Sequence, residues 1–290
     1  MLGGVADLHT HSNRSDGLLA PAELARQARA AGLACLALTD HDSVAGVAEA
    51  AAAGEQLGVL VIPGVELSAR DVDPGTGERS EDHLLGFFVD PSAPSLRAYL
   101  ADLQAARVAM AQETLATLAR LGVPVDPARV ARLAEGAVIT RPHIARALVE
   151  AGQVASEREA FDRFLGSGRP AAPERPAPGP ASAIAAVRAA GGVTGLAHPV
   201  FGREPDWAER LARIPSRLER LMADGLAAVE CFYPDATPAM TDHLLACTRG
   251  RGLIATGGSD YHGPGKAPCA PLGHCAVGGE VVEALRAARG

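Results

Sequence analysis

Lysine is almost missing from this 290-residue chain: Lys266 is the only one. The accompanying richness in Ala, Arg, Gly and Pro reads as genomic composition bias and carries no function. Acids outnumber bases, 34 Asp and Glu against 27 Lys and Arg, for a formal charge of -7. A long polynucleotide is gripped through clustered cations on one face, and this balance excludes such a grip while leaving a short anionic substrate open. The five cysteines (Cys35, Cys231, Cys247, Cys269, Cys275) follow no disulfide spacing and read as mostly reduced core residues. Cys269 and Cys275 are close in sequence but form no CxxC pair, which argues against a zinc knuckle. No apolar run reaches about 18 residues without a charge or a helix breaker. The N-terminus has no signal-peptide layout, so the expected setting is soluble and cytoplasmic, with no membrane contact. A GxSxG elbow, a Cys with a partner motif and a Walker-type GxxxxGK[ST] loop are all lacking, and no protein nucleophile is expected.

What is present is a 48% hydrophobic content, enough for one large barrel or two ordinary domains. The first ninety residues alternate short apolar runs with amphipathic segments, the pattern of strands joined by helices in a parallel sheet. Strands are expected at Val5 to His9, Cys35 to Thr39, Val59 to Val65 and Leu84 to Val89, with helices over Pro21 to Ala31 and Val44 to Leu57. From about Pro94 to Gly168 only helical periods occur, among them Ser95 to Leu121, Pro142 to Ala151 and Glu157 to Leu165. Residues 168–180 carry five prolines, too many for a helix or a central strand, and read as a return connector. Alternation then resumes with strands Val193 to Ala197, Ala227 to Cys231 and Leu253 to Thr256. Helices Ala181 to Ala190, Trp207 to Ala223, Pro238 to Arg249 and one after Glu280 complete the set. The expected architecture is α/β, a seven-stranded β/α barrel with an inserted helical cap. Its parts are residues 1–93 and 181–290 for the barrel and 94–180 for the insertion with its proline-rich return.

Histidine and carboxylate cluster at the strand ends. DLHTH closes the first strand, TDHD the second, GVELS the third, His83 flanks the fourth, LAHP closes the fifth and GGSDYHG the seventh. In a β/α barrel these ends share one face, where active sites are built. Six of the nine histidines and three carboxylates fall there, whereas a chance scatter would leave several on helix faces. Imidazole and carboxylate without thiolate suit borderline divalent metals, with manganese or iron favoured and zinc close behind. Two or three such ions, about 3.5 to 4 Å apart in two-metal sites, activate water and clamp the attacking and leaving oxygens. Metal-activated hydroxide is then the simplest nucleophile, the leaving oxygen taking its proton from metal-bound water or an imidazole.

With DLHTHSNRSDG, LTDHD, GVELS, HLLGFF, GLAHP and GGSDYHG in this order, the sequence resembles the PHP domain family (polymerase and histidinol phosphatase) over nearly its whole length. The resemblance implies a distorted seven-stranded barrel and a trinuclear metal centre. Matched motif by motif, it implies one metal on His9, His11, Glu66 and Asp260, a second on Asp16, His41 and His262, and a third on His83 and His198 with Glu66 bridging. Asp16 stands in an SDG sequence that is also an ordinary turn. Asp40 and Asp42 flank His41 and are candidates to orient it, although Asp42-Ser43 equally suits a helix start.

TRPHIARAL and FDRFLGSGRPA in the insert are similar to the subgroup of 3',5'-nucleoside bisphosphate phosphatases and the 5'-3' exoribonuclease called ribonuclease AM. That similarity implies a phosphate monoester hydrolase acting on small nucleotides, foremost the 3'-phosphate of nucleoside 3',5'-bisphosphates, with exonuclease action on short 5'-phosphorylated RNA as the alternative. Arg141, His143 and Arg169 are the candidate contacts to a second phosphate. Ala172 and Pro173 stand where relatives often carry an aromatic, and Glu230 and Tyr233 resemble the family's sixth strand end while the adjoining residues differ, so base preference stays open. His243 and His274 match no ligand motif. A histidinol phosphatase is disfavoured by the insert. A C–N hydrolase with a carbamylated mid-barrel lysine is disfavoured by the position of Lys266, and a non-catalytic module by the complete ligand set.

Overall fold

Proline opens five helices in the computed structural model, which describes residues 3–72, 77, 79–134, 139–166, 168–173, 178–200, 207–266 and 270–289. These are α1 (Pro21–Ala30), α3 (Pro94–Arg120), α4 (Pro127–Leu133), α7 (Pro180–Ala189) and α9 (Pro238–Arg249). A first-turn amide has no partner inside the helix, so a residue lacking one costs nothing there. The remaining helices are α2 (Val47–Leu57), α5 (Arg141–Glu150), α6 (Glu157–Ala160), α8 (Trp207–Asp224) and α10 (Gly279–Ala287). The helix expected over Glu157 to Leu165 is split: α6 gives way to a π-turn over Phe161–Leu165, closed by the Gly166 amide on the Phe161 carbonyl.

The strands form one eight-membered sheet, β7-β6-β5-β4-β3-β2-β1-β8. They are β1 (Val5–Thr10), β2 (Cys35–Leu38), β3 (Leu60–Val72), β4 (Arg79–Phe87), β5 (Val193–Leu196), β6 (Ala228–Phe232), β7 (Ile254–Gly257) and β8 (Val277–Gly278). The sequence pattern pointed to seven; the eighth is a two-residue strand antiparallel to β1, too short to show any periodicity. Beyond β7 the sheet nearly closes on itself, because Tyr261 bridges Thr10 and its carbonyl accepts from the His11 amide at 2.9 Å.

A second departure lies in the middle of the sheet. β4 runs antiparallel to both β3 and β5, and β3 extends well past Val65 as one arm of a long hairpin with β4. Val65, Leu67 and Ala69 on β3 pack with Leu84 of β4 against α7 and α3. The intervening Glu66 and Ser68 are buried as well, so the strand lacks the polar-out alternation that marks its extension.

A cluster including Leu8, Ile62, Phe87 and Val193 fills the barrel, and Val282 and Leu285 of α10 close its base. A separate cluster gathers Leu118 of α3, Val130 of α4, Ile144 and Leu148 of α5 and Leu165 of the π-turn. Cys35, Cys231, Cys247 and Cys275 are unbridged, and Cys269 lies outside the described residues. No helix among the described residues is long and apolar enough to cross a membrane.

Candidate metal centre

Each element delivers its polar residues to one mouth of the barrel by a local irregularity. On β1 the register against β2 slips between Asp7 and Thr10; a bulge of this kind re-aims side chains, and here it falls at His9. Gly258 makes the approach of β7 to β1 feasible, since a Cβ there would lie 2.3 Å from that of His9. Asp42, His198 and Asp260 hold left-handed backbone at φ 48, 22 and 48. Such conformations persist where the surroundings over-determine them, typically at functional sites. Because β4 runs backwards, His83 comes to the same mouth from the middle of its strand, paired with Ser68 of β3.

The nine expected side chains converge around Glu66, which is fully buried in the middle of β3. Its Oε2 lies 3.3 Å from His9 Nε2, 3.2 Å from His11 Nε2 and 3.0 Å from His41 Nδ1. Its Oε1 lies 2.8 Å from His83 Nδ1 and 3.2 Å from His198 Nε2. Asp260 Oδ1 is 3.3 Å from His9 Nε2 and 3.0 Å from His11 Nε2, and Asp16 Oδ1 is 3.2 Å from His262 Nε2. Three overlapping groups have donor atoms within 4.8 Å of one another: His9, His11, Glu66 and Asp260; His11, Asp16, His41 and His262; and His41, Glu66 and His83.

These residues fit divalent cations. His9 Nε2, both nitrogens of His11, His41 Nδ1, Asp16 Oδ1 and Glu66 Oε2 are buried without a hydrogen bond, which is costly for polar atoms unless something else occupies their lone pairs. Burial opposes charge on the carboxylates, yet the surrounding imidazoles hold Asp16, Glu66 and Asp260 well below the usual carboxylate range. Burial likewise disfavours a charged His11, but the carboxylates of Asp260 and Glu66 raise it to about 10. The cluster therefore demands positive charge, and an all-imidazole and carboxylate donor set answers to borderline metals.

The residues behind the cluster were in part named from the sequence, as Glu230, Asp40 and Asp42 were, and in part not, as Arg217 and Arg107 were not. Glu230 on β6 is buried behind the cluster, its Oε1 3.1 Å from His9 Nδ1 and its Oε2 accepting from the His198 amide at 2.7 Å. A lone acid inside the apolar run AVECF, like Glu66 inside GVELS, was the available signal. Arg217 of α8 pairs with buried Asp82, next to His83, at 2.5 Å and donates to the carbonyl of Pro199, next to His198. Nothing in the sequence marked that arginine. Asp40 accepts from the Ser12 amide and hydroxyl and from the Ser15 hydroxyl, each at 2.7 Å, and so fixes the segment carrying Asp16. Asp42 accepts from the Ser68 amide and from buried Arg107, tying β3 to α3.

A cleft of about 560 Å³ opens beside Asp16, between the loops following β1 and β7 and the start of α5. His143 borders it, as do Arg146 and Lys266. Arg141 and Arg169 do not. Arg141 Nη1 lies 3.4 Å from the Leu165 carbonyl, and Arg169 is exposed in the turn after Gly166. His243 donates to the Leu211 carbonyl away from the centre, and His274 is exposed.

Comparison with known proteins agrees with this geometry. The model of the PHP domain matches residues 7–138. A 5'-3' exoribonuclease of Haemophilus influenzae is 34% identical over 89% of this chain and 90% of its own length. A 3',5'-nucleoside bisphosphate phosphatase of Chromobacterium violaceum is 34% identical over 90% of this chain and 88% of its own. A solved Bifidobacterium adolescentis structure, described as that of a metal-dependent phosphoesterase, superposes with a TM-score of 0.85 at 31% identity, covering 98% of this chain and 96% of that one.

Proposed function

The chain belongs to the PHP domain family, and from that membership we propose that it is a cytoplasmic phosphoesterase whose preferred reaction is hydrolysis of the 3'-phosphate of nucleoside 3',5'-bisphosphates. The observation that carries this reading is the cleft, whose lining brings Asp16 of the carboxylate and imidazole cluster together with two cationic side chains, Arg146 and Lys266. A small molecule with one phosphate at each end matches that layout.

His9, His11, Glu66 and Asp260 would hold one divalent ion, Asp16, His41 and His262 a second, and His83 and His198 a third with Glu66 shared. Manganese or iron suits the donors best. When bound, such ions supply Lewis-acid polarisation and an activated water. The chain contributes orientation. Glu230 accepts a hydrogen bond from His9 Nδ1, which leaves the Nε2 lone pair facing Glu66 and Asp260. Residues 94–180 form the cap in this reading, supported by their separate hydrophobic cluster. Of the expected substrate contacts, His143 borders the cleft; Arg141 and Arg169 are the candidates for contacts beyond it.

Exoribonuclease action is the second reading, favoured by the equal identity to a relative of that name. In both reactions the oxygen of water ends on phosphorus, the P–O3' bond breaks and O3' takes the proton. Both leave a nucleoside 5'-monophosphate.

The test is a metal-loaded activity panel of nucleoside 3',5'-bisphosphates, nucleoside monophosphates, short 5'-phosphorylated RNA, histidinol phosphate and p-nitrophenyl phosphate. The bisphosphate should have the highest kcat/KM. Phosphate release no faster than from p-nitrophenyl phosphate would refute the preference, and faster release of mononucleotide from RNA would promote the second reading.

A further inference from the structure

His83 and His198 form a unit of their own within the cluster. The Ala197 amide donates to the His83 carbonyl at 2.9 Å, which sets the two histidines side by side where β4 meets the end of β5. Their rings meet edge to face with centroids 5.1 Å apart, and both reach Glu66 Oε1. In the division of ligands proposed above, this pair holds its ion with the shared Glu66, so it has fewer side chains of its own than either of the other sites.

The backbone that carries the pair is held from behind. His198 sits at φ 22, a conformation that persists only where its surroundings over-determine it. Glu230 accepts from the His198 amide at 2.7 Å, Arg217 donates to the Pro199 carbonyl at 3.1 Å, and the Tyr233 hydroxyl donates to the Val200 carbonyl at 3.1 Å. Of these three, Arg217 also reaches the other histidine. Successive residues of a strand face opposite ways, so while His83 turns to Glu66, fully buried Asp82 turns to α8. There Arg217 Nη2 meets its Oδ1 at 2.5 Å and Nε its Oδ2 at 3.2 Å, while Nη1 makes the bond to Pro199. Ile214 and Leu218 of the same helix are buried in the core, so the guanidinium stands on a fixed base.

We propose that Arg217 is a positioning residue for metal binding: its fork locks the peptide after His198 to the carboxylate before His83, so that the two imidazoles are presented together to one cation. The count of three ions rests on the function proposed above; the coupling of the two rings to Arg217 does not. A planar fork suits the task because its donors point in fixed directions, whereas the ammonium of a lysine is a point charge. Loss of an outer partner of this kind typically weakens metal binding about 10- to 100-fold.

The experiment follows the assigned ring-nitrogen NMR signals of the histidines while zinc is added to the metal-free protein. Two variants break the bridge: Arg217→Lys, which keeps the charge, and Arg217→Gln combined with Asp82→Asn, which leaves no buried carboxylate unpaired. Arg220→Met is the control, since Arg220 on the same helix pairs with Asp71 of the same hairpin at 2.5 Å. In both Arg217 variants the midpoints of His83 and His198 should move together to about 10- to 100-fold more zinc, with His9 and His11 unmoved and Arg220→Met like the wild type. Unchanged midpoints in the Arg217 variants overturn the proposal. So does an equal shift at His9 and His11, which would mean general loosening, and so does the same shift in Arg220→Met, which would mean docking of α8 alone. Full recovery by lysine would reduce the role to neutralising Asp82 and overturn the bridge, as would rings of His83 and His198 that do not respond to zinc in the wild type. The number of zinc ions bound by the wild type reads the other premise: a total of two removes the three-ion division and leaves the coupling to be judged by the same midpoints.

Discussion

Glu230 shows how much of a metal site lies behind its ligands. One carboxylate oxygen meets the far nitrogen of His9 and the other receives the amide of His198, a residue held at φ 22. Two candidate ligands, one on β1 and one just past β5, are thus fixed by one buried acid. Replacing it with glutamine keeps the shape but removes the charge that makes His9 a better donor. Loss of such an outer partner typically weakens metal binding about 10- to 100-fold, so Glu230→Gln should show that loss in a chelator competition while its far-UV circular dichroism stays unchanged. An unaltered affinity would reduce Glu230 to a packing residue. The nine candidate ligands were legible because they stand in short motifs, HxH, TDHD and SDYH, whose order carries the information. Arg217 and Arg107 were not, since an arginine on a helix reads as solvent-facing until the fold brings Asp82 or Asp42 to it.

Among the elements, helices were easier to read than the central hairpin. Pro94–Arg120 and Trp207–Asp224 lie within a residue of their expected bounds, because helical periods mark both and an N-terminal proline marks the first. The β3–β4 pair was read as two short parallel strands, since burial on both faces erases the alternation that would show its length. The start of α5 is another case: Thr140 and His143 form a reciprocal cap there, a role for which Glu or Gln is the usual partner. His143 has its pKa lowered from 6.5 to about 4, chiefly by burial. Between those values the unfolded chain binds a proton that the folded chain refuses, so this group's contribution is intact above about pH 6.5 and declines as the pH falls. Between pH 7 and 5 the metal-free wild type should therefore lose roughly 2 kcal/mol more stability than His143→Asn. Urea titrations of both proteins in chelator would check this, and parallel pH slopes would contradict it.

At the scale of the whole molecule, the barrel brings six separated motifs to one mouth, and the chain's net charge of -7 disfavours a grip along the length of a polynucleotide. In the proposed function binding concentrates in the cleft, at the end of an RNA rather than along it. If a 5'-phosphate is held in the cleft while the P–O3' bond breaks at the metal centre, as the proposed function has it, each cut of an RNA leaves a new 5'-phosphate on the remainder. The substrate for the next cycle is then regenerated without a change of binding mode. A 5'-hydroxyl RNA lacks the anchored group only in its first cycle, so its deficit should be confined to release of the first nucleotide. That step should be slower by about tenfold, the worth of a charge-assisted contact, with later steps at the rate of the phosphorylated RNA. Single-turnover product ladders from matched 5'-phosphate and 5'-hydroxyl oligoribonucleotides would display it. Equal rates of first release would show that the 5' end is not read, and a deficit persisting through every step would place recognition along the strand instead of at its end.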